Sequence, residues 1–441
     1  MTAARTVLII TATSLAAAHP ALAAGGEHVD PVASLVLALA VILLAAKLGG
    51  DLASRAGQPA VLGELVVGVL LGNLGLLGVP WLDTIEQDPA VDMLARLGVL
   101  ILLFEVGLES TVPQMLSVGR SALLVALVGV VFPLLLGWGV GAWLLPDASP
   151  YAHAFLGATL CATSVGITAR VLQDLDRSNS PEARTILGAA VVDDVLGLVV
   201  LAVVSGAIAA ADQGRGVALG DVALLFAKAA AFLVVSLAVG VLVSRKLFSL
   251  SSRLRARGVL LAVGLSFCFI LSWLSGRIGL APIVGAFAAG LILENTHYRD
   301  FVDRGEHSLE DLVHPISSFL VPIFFVVMGM RADLRAIAHV EVLGLALALS
   351  VAAIIGKQAC ALGVVGQGMD RVLVGLGMIP RGEVGLIFAN AGLGLTMGGQ
   401  PIISRGVFSA VVLMVIVTTL ITPPALKWRL RRTAAARPVT A

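Results

Sequence analysis

Apolar segments of about 20 residues recur along this chain, and they restrict its fold more than any other feature. An α-helix of about that length crosses the hydrocarbon core of a bilayer. The composition agrees, because 58% of the 441 residues are hydrophobic and only 13% are charged, whereas soluble domains carry about 25% charged residues. We therefore predict an all-α polytopic membrane protein with about 13 transmembrane helices. The predicted segments are residues 31–50, 60–78, 91–110, 119–145, 153–172, 184–211, 220–248, 255–275, 278–295, 315–331, 337–365, 371–395 and 403–426.

The N-terminal stretch and the loop charges predict an orientation. Residues 1–24 contain Arg5, a short apolar core and the sequence Ala21-Leu22-Ala23, a pattern typical of a signal peptide; an uncleaved anchor is the alternative. Basic residues cluster in loops that share one side of the membrane in this helix count, and such loops are generally cytoplasmic. We expect the mature N-terminus outside, a short cytoplasmic tail at residues 427–441, and a bacterial inner membrane as the location. The basic residues are Arg170, Arg177, Arg184, Arg245, Lys246, Arg253, Arg255, Arg257, Lys427, Arg429, Arg431 and Arg432.

The sequence also contains an internal repeat. Residues 62–73 and 284–295 match at a constant offset of 222 residues (284 minus 62), and the same offset relates residues 103–108 to 325–330. An odd number of predicted helices separates equivalent segments, so the two halves run in opposite directions, which is typical of secondary transporters. The matched residues are Gly63 and Gly285, Gly68 and Gly290, Leu71 and Leu293, and Asn73 and Asn295. The predicted transmembrane domain, residues 25–426, comprises two inverted six-helix repeats (about 31–211 and about 255–426) joined by a linker helix (about 220–248).

An acidic pair, Asp193 and Asp194, lies inside the apolar run of about residues 186–210. A charge within the membrane costs about 2.5 to 3.5 kcal/mol on insertion scales, so it usually faces a partner or a water-filled cavity and marks an ion or proton pathway. An acidic pair at a helix end near the headgroups is the structural alternative. The apolar flanks on both sides favour the ion pathway.

Two segments are predicted to be discontinuous helices. Residues 157–171 carry four hydroxyl side chains, including Thr163 and Ser164, and residues 377–390 contain Pro380, Arg381, Gly382 and Glu383. Non-helical backbone at membrane depth is tolerated where it lines a cavity or is buried in protein, and its freed carbonyls can coordinate cations. A continuous helix with a proline kink, and with Arg381 paired to Glu383 near the surface, is the alternative.

These residues suggest chemistry with a monovalent cation. Carboxylate, hydroxyl and carbonyl oxygens suit a hard cation, and Asp193, Asp194, Thr163 and Ser164 supply the side-chain oxygens. Burial and a neighbouring like charge favour the protonated form of a carboxyl group in general, so cation and proton can compete for one site. Lys357 lies near the middle of an apolar segment, and we expect it to pair with one of the two aspartates rather than extend to the interface.

The ordered motifs resemble those of the monovalent cation:proton antiporter-2 family, over about residues 31–426. The motifs are GQPAVLGELVVGVLLGN, LILLFEVGLES, GATLCATSVGITARVLQD, AAVVDDVLGLVVLA and MIPRGEVGLIFA. The resemblance is nearest to sodium/proton members with adjacent aspartates. It implies a homodimer in the lipid bilayer, with crossed discontinuous helices at a site that alternates between the two sides.

The resemblance also implies roles for individual residues. Asp194 would bind the cation and the proton, and Asp193 would be the partner of the lysine matched to Lys357. Thr163 and Ser164 fall in the first discontinuous helix, and Arg381 and Glu383 in the second. Potassium-efflux relatives of the Kef type have Gln-Asp instead of Asp-Asp and carry an appended nucleotide-binding regulatory domain, which this chain is not expected to have.

The leading hypothesis is a secondary antiporter that exchanges Na⁺, or also Li⁺, for H⁺. Exchange of K⁺ for H⁺ is an open alternative, because oxygen ligands do not fix the cavity size, and a cation channel is a further one. An intramembrane aspartyl protease would need its aspartates on different helices, so no enzymatic activity is expected. The sequence suggests no cofactor, no nucleic-acid partner and no metal beyond the transported cation.

Charged residues outside the acidic pair have simpler interpretations. In residues 297–315, His307, Glu310, Asp311 and His314 recur at helical spacing. This arrangement could bind a metal or sense pH, but an amphipathic interfacial helix is favoured. Glu64 is expected near the cytoplasmic interface, and Glu105 could line a cavity.

Overall fold

A computed structural model of the protein describes residues 31–77, 85, 87–109, 119–164, 168, 172, 177, 180–213, 219–252, 254, 256, 258–278, 280–293, 307–365 and 368–435. The predicted signal peptide, Asn295 and most of the 297–315 segment lie outside these residues. Residues 1–41 and 42–441 form separate compact units. The described part of the first unit is the beginning of one long helix, and the description below concerns the second.

The described elements are almost all helical. The helices are α1 (Pro31–Arg55), α2 (Ala60–Gly72), α3 (Pro89–Glu109), α4 (Arg120–Leu144), α5 (Pro150–Thr159), α6 (Pro181–Asp212), α7 (Leu219–Ser251), α8 (Val259–Arg277), α9 (Pro282–Ile292), α10 (Leu309–Met330), α11 (Leu334–Ile337), α12 (Val340–Gln358), α13 (Arg371–Gly377), α14 (Glu383–Gly394) and α15 (Arg405–Ala435). Short 3₁₀ turns follow α2 at Leu74–Leu77 and α12 at Ala359–Gly363, and strands β1 (Thr396–Met397) and β2 (Gln400–Pro401) form an antiparallel hairpin.

Within the described residues, eight helices are long and apolar enough to cross a membrane: α1, α4, α6, α7, α8, α10, α12 with its 3₁₀ extension, and α15. Three shorter apolar helices are α2, α9 and α14. Each predicted apolar segment overlaps at least one helix, so the prediction of an all-helical membrane protein is confirmed. The count of about 13 crossings stays a prediction.

The helices pack into two groups. The companion bundle contains α2, α3, α8, α9 and α10, and its closest packing is of α3 against α9 and α10. The site bundle contains α4, α5, α6 and α12 to α15, with α4 packed against α5, α6 and α12. The long helix α7 contacts α6 of the site bundle and α9 of the companion bundle. The role of α7 as a linker between two repeats stays a prediction.

Glycines of the sequence repeat meet in equivalent pairs in the companion bundle. A methyl group added at Gly329 of α10 would lie 2.8 Å from the Cα atom of Gly68 of α2, and one added at Gly107 of α3 would lie 3.0 Å from the Cα atom of Gly290 of α9. The offset of 222 residues relates Gly68 to Gly290 and Gly107 to Gly329 (290 minus 68; 329 minus 107). Small residues let helix backbones approach closely in membranes, so the repeated glycines make the same kind of contact twice.

The last helix is longer than the apolar segment that predicted it. The segment was expected to end at residue 426, but α15 continues through Ala435. Polar contacts stabilise the extension: Arg429 Nε donates to Asp370 Oδ2 at 2.8 Å, and the Arg432 guanidinium lies 4.4 Å from the centre of the Trp428 ring. Hydropathy locates the apolar part of a helix, whereas polar contacts such as these extend the helix beyond its apolar segment.

Candidate functional site

The acidic pair lies well inside the longest helix of the site bundle. Helix α6 starts where the Ser180 hydroxyl accepts a hydrogen bond from the Ala183 N–H at 3.1 Å, with Pro181 in the first turn, an arrangement that favours helix initiation. Asp193 is fully buried and Asp194 is 7% exposed. Neither aspartate therefore lies on a solvated helix end, and the structural alternative of a surface pair is wrong.

Asp193 forms an ion pair with Lys357, from the last turn of α12. Lys357 Nζ lies 2.8 Å from Asp193 Oδ1 and 2.9 Å from Oδ2, and both side chains are fully buried. Removing two charges from solvent is costly, and close contact between them offsets the cost. The expectation that Lys357 pairs with an aspartate agrees with this geometry. Adjacent helical residues point about 100° apart, which leaves Asp194 on a different face of α6.

The second predicted helix interruption is present beside this pair. Helix α13 ends at Gly377, α14 begins at Glu383, and the intervening residues 378–382 are not helical. In the first predicted interruption, α5 ends at Thr159 and residues 162–164 are also not helical, while most of residues 165–171 lie outside the described part.

The two interruptions are hydrogen-bonded to each other. The Ser164 N–H donates to the Pro380 carbonyl at 2.8 Å, and the Thr163 hydroxyl donates to the Met378 carbonyl at 3.2 Å. The Thr168 hydroxyl donates to the Gly377 carbonyl at 2.7 Å. Carbonyls that we expected to be free for a cation are thus hydrogen-bonded within the protein, although a carbonyl oxygen retains a second lone pair.

Thr163 and Ser164 lie where the interruptions meet α6. Thr163 is buried, and its hydroxyl is held by the second interruption. Ser164 is buried, and a methyl group added at Gly382 would lie 2.7 Å from the Ser164 side chain. Only a glycine at position 382 allows this approach, which explains why the PRGEV motif carries one.

Arg381 is fully buried between the two interruptions. Its Nη1 atom donates to the carbonyls of Cys161, at 3.2 Å, and Ala162. The Arg381 carbonyl in turn accepts a hydrogen bond from the Thr419 hydroxyl of α15 at 2.6 Å. The guanidinium therefore places a fixed positive charge against the carbonyls that follow α5. The side chain of Glu383 lies outside the described part of the structure, so its expected role stays a prediction.

A cavity of about 250 Å³ adjoins this region between the two bundles. Ser164 and Gly382 line it from the site bundle, and Leu62 and Phe325 line it from the companion bundle. The cavity wall is mostly apolar, and its polar side chains are Ser164, at the first interruption, and Thr419 of α15. Neither Asp193 nor Asp194 lines this cavity.

The other charged residues singled out in the sequence lie on α2, α3 and α10 or next to them. Glu64 is buried in α2. Glu105 of α3 accepts a hydrogen bond from the Ser317 hydroxyl of α10 and lies 3.3 Å from Nδ1 of the exposed His314. Helix α10 begins at Leu309 after Ser308, which caps it by accepting from the Asp311 N–H at 3.2 Å. Among the described residues, no group of three or more His, Cys, Asp or Glu side chains could hold a metal ion.

Sequence reasoning missed the residues that pack directly on the ion pair. Gly129 of α4 faces Cys360, Lys357 and Asp193: a methyl group added there would lie 2.8 Å from Cys360 Sγ, 3.3 Å from Lys357 Nζ and 3.5 Å from Asp193 Oδ1. Its only sequence signal is a glycine in an apolar helix, which this chain shows many times among its 48 glycines.

Gly129→Ala is expected to disturb the ion pair and to lower transport activity several-fold. The added methyl group overpacks the site, which typically costs about 1 to 3 kcal/mol. Cys360→Ala removes the sulfur at the shortest contact, so the double variant Gly129→Ala/Cys360→Ala should recover activity and thermal stability. Gly139→Ala is the matched control on the same helix, since a methyl group there meets nothing within 4 Å. Wild-type melting temperature and activity in Gly129→Ala would contradict this interpretation.

Comparison with known proteins gives one consistent answer. Residues 36–432 match the family model described as "Sodium/hydrogen exchanger, transmembrane". The chain is 37% identical to the "High-affinity Na(+)/H(+) antiporter NhaS3" of Synechocystis sp., over 92% of this chain and 93% of that protein. It is 35% identical to the "Na(+)/H(+)-K(+) antiporter GerN" of Bacillus cereus, over 88% of this chain and 95% of that protein.

A solved structure has a similar fold. The sodium proton antiporter MjNhaP1 from Methanocaldococcus jannaschii superimposes with a TM-score of 0.65, over 92% of this chain and 100% of that chain. The sequence identity is 16%, so this likeness concerns the arrangement of helices alone.

Proposed function

This chain belongs to the sodium/hydrogen exchanger family, and from that premise we propose that it is a secondary antiporter exchanging Na⁺ for H⁺ across a membrane. It is a transporter rather than an enzyme. The observation that carries the proposal is the fully buried Asp193–Lys357 ion pair next to Asp194, at the meeting point of two interrupted helices. Ionisable residues placed so deeply mark ion or proton pathways.

The two aspartates have different roles in the proposed mechanism. Asp193 is paired with Lys357, so its charge is compensated within the protein. We assign cation binding to Asp194, the second buried carboxylate of α6, with Ser164 as a further oxygen ligand. Cation and proton compete for the Asp194 carboxylate. If only the loaded forms cross between the two facing states, obligatory exchange follows.

Arg381 fixes the geometry of this site. Interrupted helices expose carbonyls that would attract a cation at any time, and the Arg381 guanidinium already occupies those of Cys161 and Ala162. The transported ion is therefore directed to the carboxylate, which can release it by protonation.

The finer architecture is proposed on the same basis. Two inverted repeats, about 31–211 and about 255–426, are supported by the equivalent glycine contacts in the companion bundle and by the contacts of α7 with α6 of the first repeat and α9 of the second. The predicted orientation places the ends of α2 and α10 at Asn73 and Arg331 outside, in a bacterial inner membrane. A homodimer is proposed from the family resemblance. The outward-facing apolar side chains of the companion bundle, such as Trp273 at 62% exposure, suit contact with lipid or a second copy.

The direct test is cation-driven proton flux in proteoliposomes, with Na⁺, Li⁺ and K⁺ compared at equal concentration. Na⁺ and Li⁺ are expected to drive proton movement and K⁺ to be much weaker. A K⁺ ionophore that clamps the voltage reports whether the exchange moves net charge. An equal response to K⁺ would reassign the protein to potassium/proton exchange, and uncoupled conductance would indicate a channel.

A further inference from the structure

The two ends of the interface between the bundles differ in their contacts: one end holds a mostly apolar cavity, and the other is joined by polar hydrogen bonds beside a cavity of about 270 Å³ that Asn73, Arg331 and Arg405 help to line. The cavity described above occupies one end, where it is lined by Leu62, Leu102, Phe325, Leu386, Val415 and Thr419. At the other end, polar side chains join the bundles directly. The same helices contribute to both ends, so the difference belongs to the interface and not to a separate subdomain.

Arg331, just after α10, is the centre of the hydrogen-bonded end. It donates one hydrogen bond to Asp92 of α3, within the companion bundle, and another to Asn390 of α14, in the site bundle. The Arg331 side chain is only 16% exposed. A single side chain therefore bridges the two bundles away from bulk solvent.

The residues after Arg331 are also hydrogen-bonded to both bundles. Asn73, at the end of α2, donates to the Ala332 carbonyl at 2.7 Å and accepts from the Leu334 N–H at 2.9 Å. On the other side, the Asp333 N–H donates to the Ser409 hydroxyl of α15 at 2.8 Å. Residues 331–334 are thus tied to both bundles at once.

The order of residues along the helices shows that the mostly apolar cavity and these hydrogen bonds lie at opposite ends. In α3, Leu102 lines the cavity and Asp92 is about three turns away. In α15, Thr419 lines the cavity and Ser409 lies near the helix start. In α2, Leu62 is near the start and Asn73 follows the end. The hydrogen-bonded residue precedes the cavity residue in α3 and α15 and follows it in α2, as expected if α2 crosses the membrane in the opposite direction, which the predicted orientation requires.

We propose that residues 331–334 form a latch that closes one end of the bundle interface, and that transport requires it to release the site bundle. The proposal rests on the function proposed above, and in the proposed orientation this end is external. The two sides of the latch differ in strength. Both contacts use the charged guanidinium of Arg331, but Arg331 meets an oppositely charged carboxylate on the companion side and an uncharged amide on the site side, so only the companion contact gains attraction between full charges. The contact with Asn390 is therefore the one that breaks.

A disulfide across the latch tests this proposal. The Asp333 N–H and the Ser409 hydroxyl are in hydrogen-bond contact, which places their Cα atoms on the order of 6 Å apart, within the range of a disulfide. Oxidation of the variant Asp333→Cys/Ser409→Cys should reduce exchange at least about tenfold, and a reductant should restore it. Each single cysteine variant, treated in the same way, is the control for oxidation of the buried native cysteines.

The outcomes separate the latch from the proposed function. If wild-type protein exchanges none of the three cations, the proposed function fails. If wild-type protein exchanges and the double variant does so equally after the disulfide is verified, the latch is wrong. Failure of the two cysteines to cross-link at all would also contradict it.

A second pair of variants tests the direction of the effect. Asn390→Asp turns the neutral contact with Arg331 into a charged one and should slow exchange several-fold by holding the latch closed. Asn390→Ala removes the contact with Arg331. Residues of the site bundle that face the bundle interface should then react faster with a labelling reagent added on the latch side. A purely structural role for Asn390 predicts that both variants lose stability and that neither changes accessibility, and that result would overturn the proposal.

Discussion

Asp194→Asn is expected to abolish cation/proton exchange while the protein stays folded. The amide has the shape of the carboxylate but carries no charge to bind a cation and no group that exchanges a proton in the working range. Loss of a charged ligand should reduce exchange at least about a hundredfold, since each 1.4 kcal/mol corresponds to a factor of ten. The Asp193–Lys357 pair does not involve this side chain, so the fold should persist.

Proteoliposome flux driven by Na⁺ measures this variant, and its melting temperature in detergent tests folding. Asp212→Asn is the matched control, because Asp212 lies at the exposed end of the same helix, where its carboxylate accepts from the Gly398 N–H at 2.8 Å. That substitution should leave exchange near the wild-type level. Wild-type exchange in Asp194→Asn would remove Asp194 from the site.

Lys357→Ala is expected to have the largest effect on stability. It leaves the fully buried Asp193 carboxylate without its counter-charge, and breaking a buried pair by removing one partner typically costs about 3 to 5 kcal/mol. Thermal unfolding in detergent should show a large fall in melting temperature. The double variant Lys357→Ala/Asp193→Asn removes both charges and should recover much of the loss. The exposed lysine variant Lys228→Ala is the control for loss of a positive charge.

The same variants separate a structural role for the pair from a role in transport. If Lys357 and Asp193 only stabilise the fold, the double variant should exchange with unchanged charge movement per cation. If they carry a transported proton, the voltage dependence of exchange should change in the double variant and in Asp193→Asn. Equal stability of Lys357→Ala and wild type would contradict the buried ion pair itself.

Much of the site could be predicted because burial of charge is costly wherever it occurs. An Asp-Asp pair and a single lysine in apolar segments had to be compensated, and Lys357 and Asp193 are in contact. Pro380 and Gly382 likewise predicted a break in the helix, and the structure has one between Gly377 and Glu383. These predictions follow from local rules on hydropathy, backbone donors and steric freedom.

Other parts of the site could not be predicted, because they depend on helix rotation and crossing. Nothing in the sequence indicates that Arg381 donates to the carbonyls of Cys161 and Ala162 instead of to a neighbouring carboxylate. Gly129 is one glycine among many until α4 is seen to pack on the ion pair. The residue types of Arg381 and Gly129 were identifiable, but their partners were not.

The sequence by itself determined that this is a helical membrane protein with a charged site at depth, because apolar length and the cost of a membrane charge are properties of each segment taken alone. The family resemblance had already implied that Asp193 is the partner of Lys357, 164 residues away in the chain. Only the tertiary structure decided that Arg381 meets the carbonyls of Cys161 and Ala162, and that Arg331 joins one end of the bundle interface to Asn390. Such pairings depend on how each helix is rotated and tilted against its neighbours. Packing of the whole bundle sets those angles, and no local pattern encodes them.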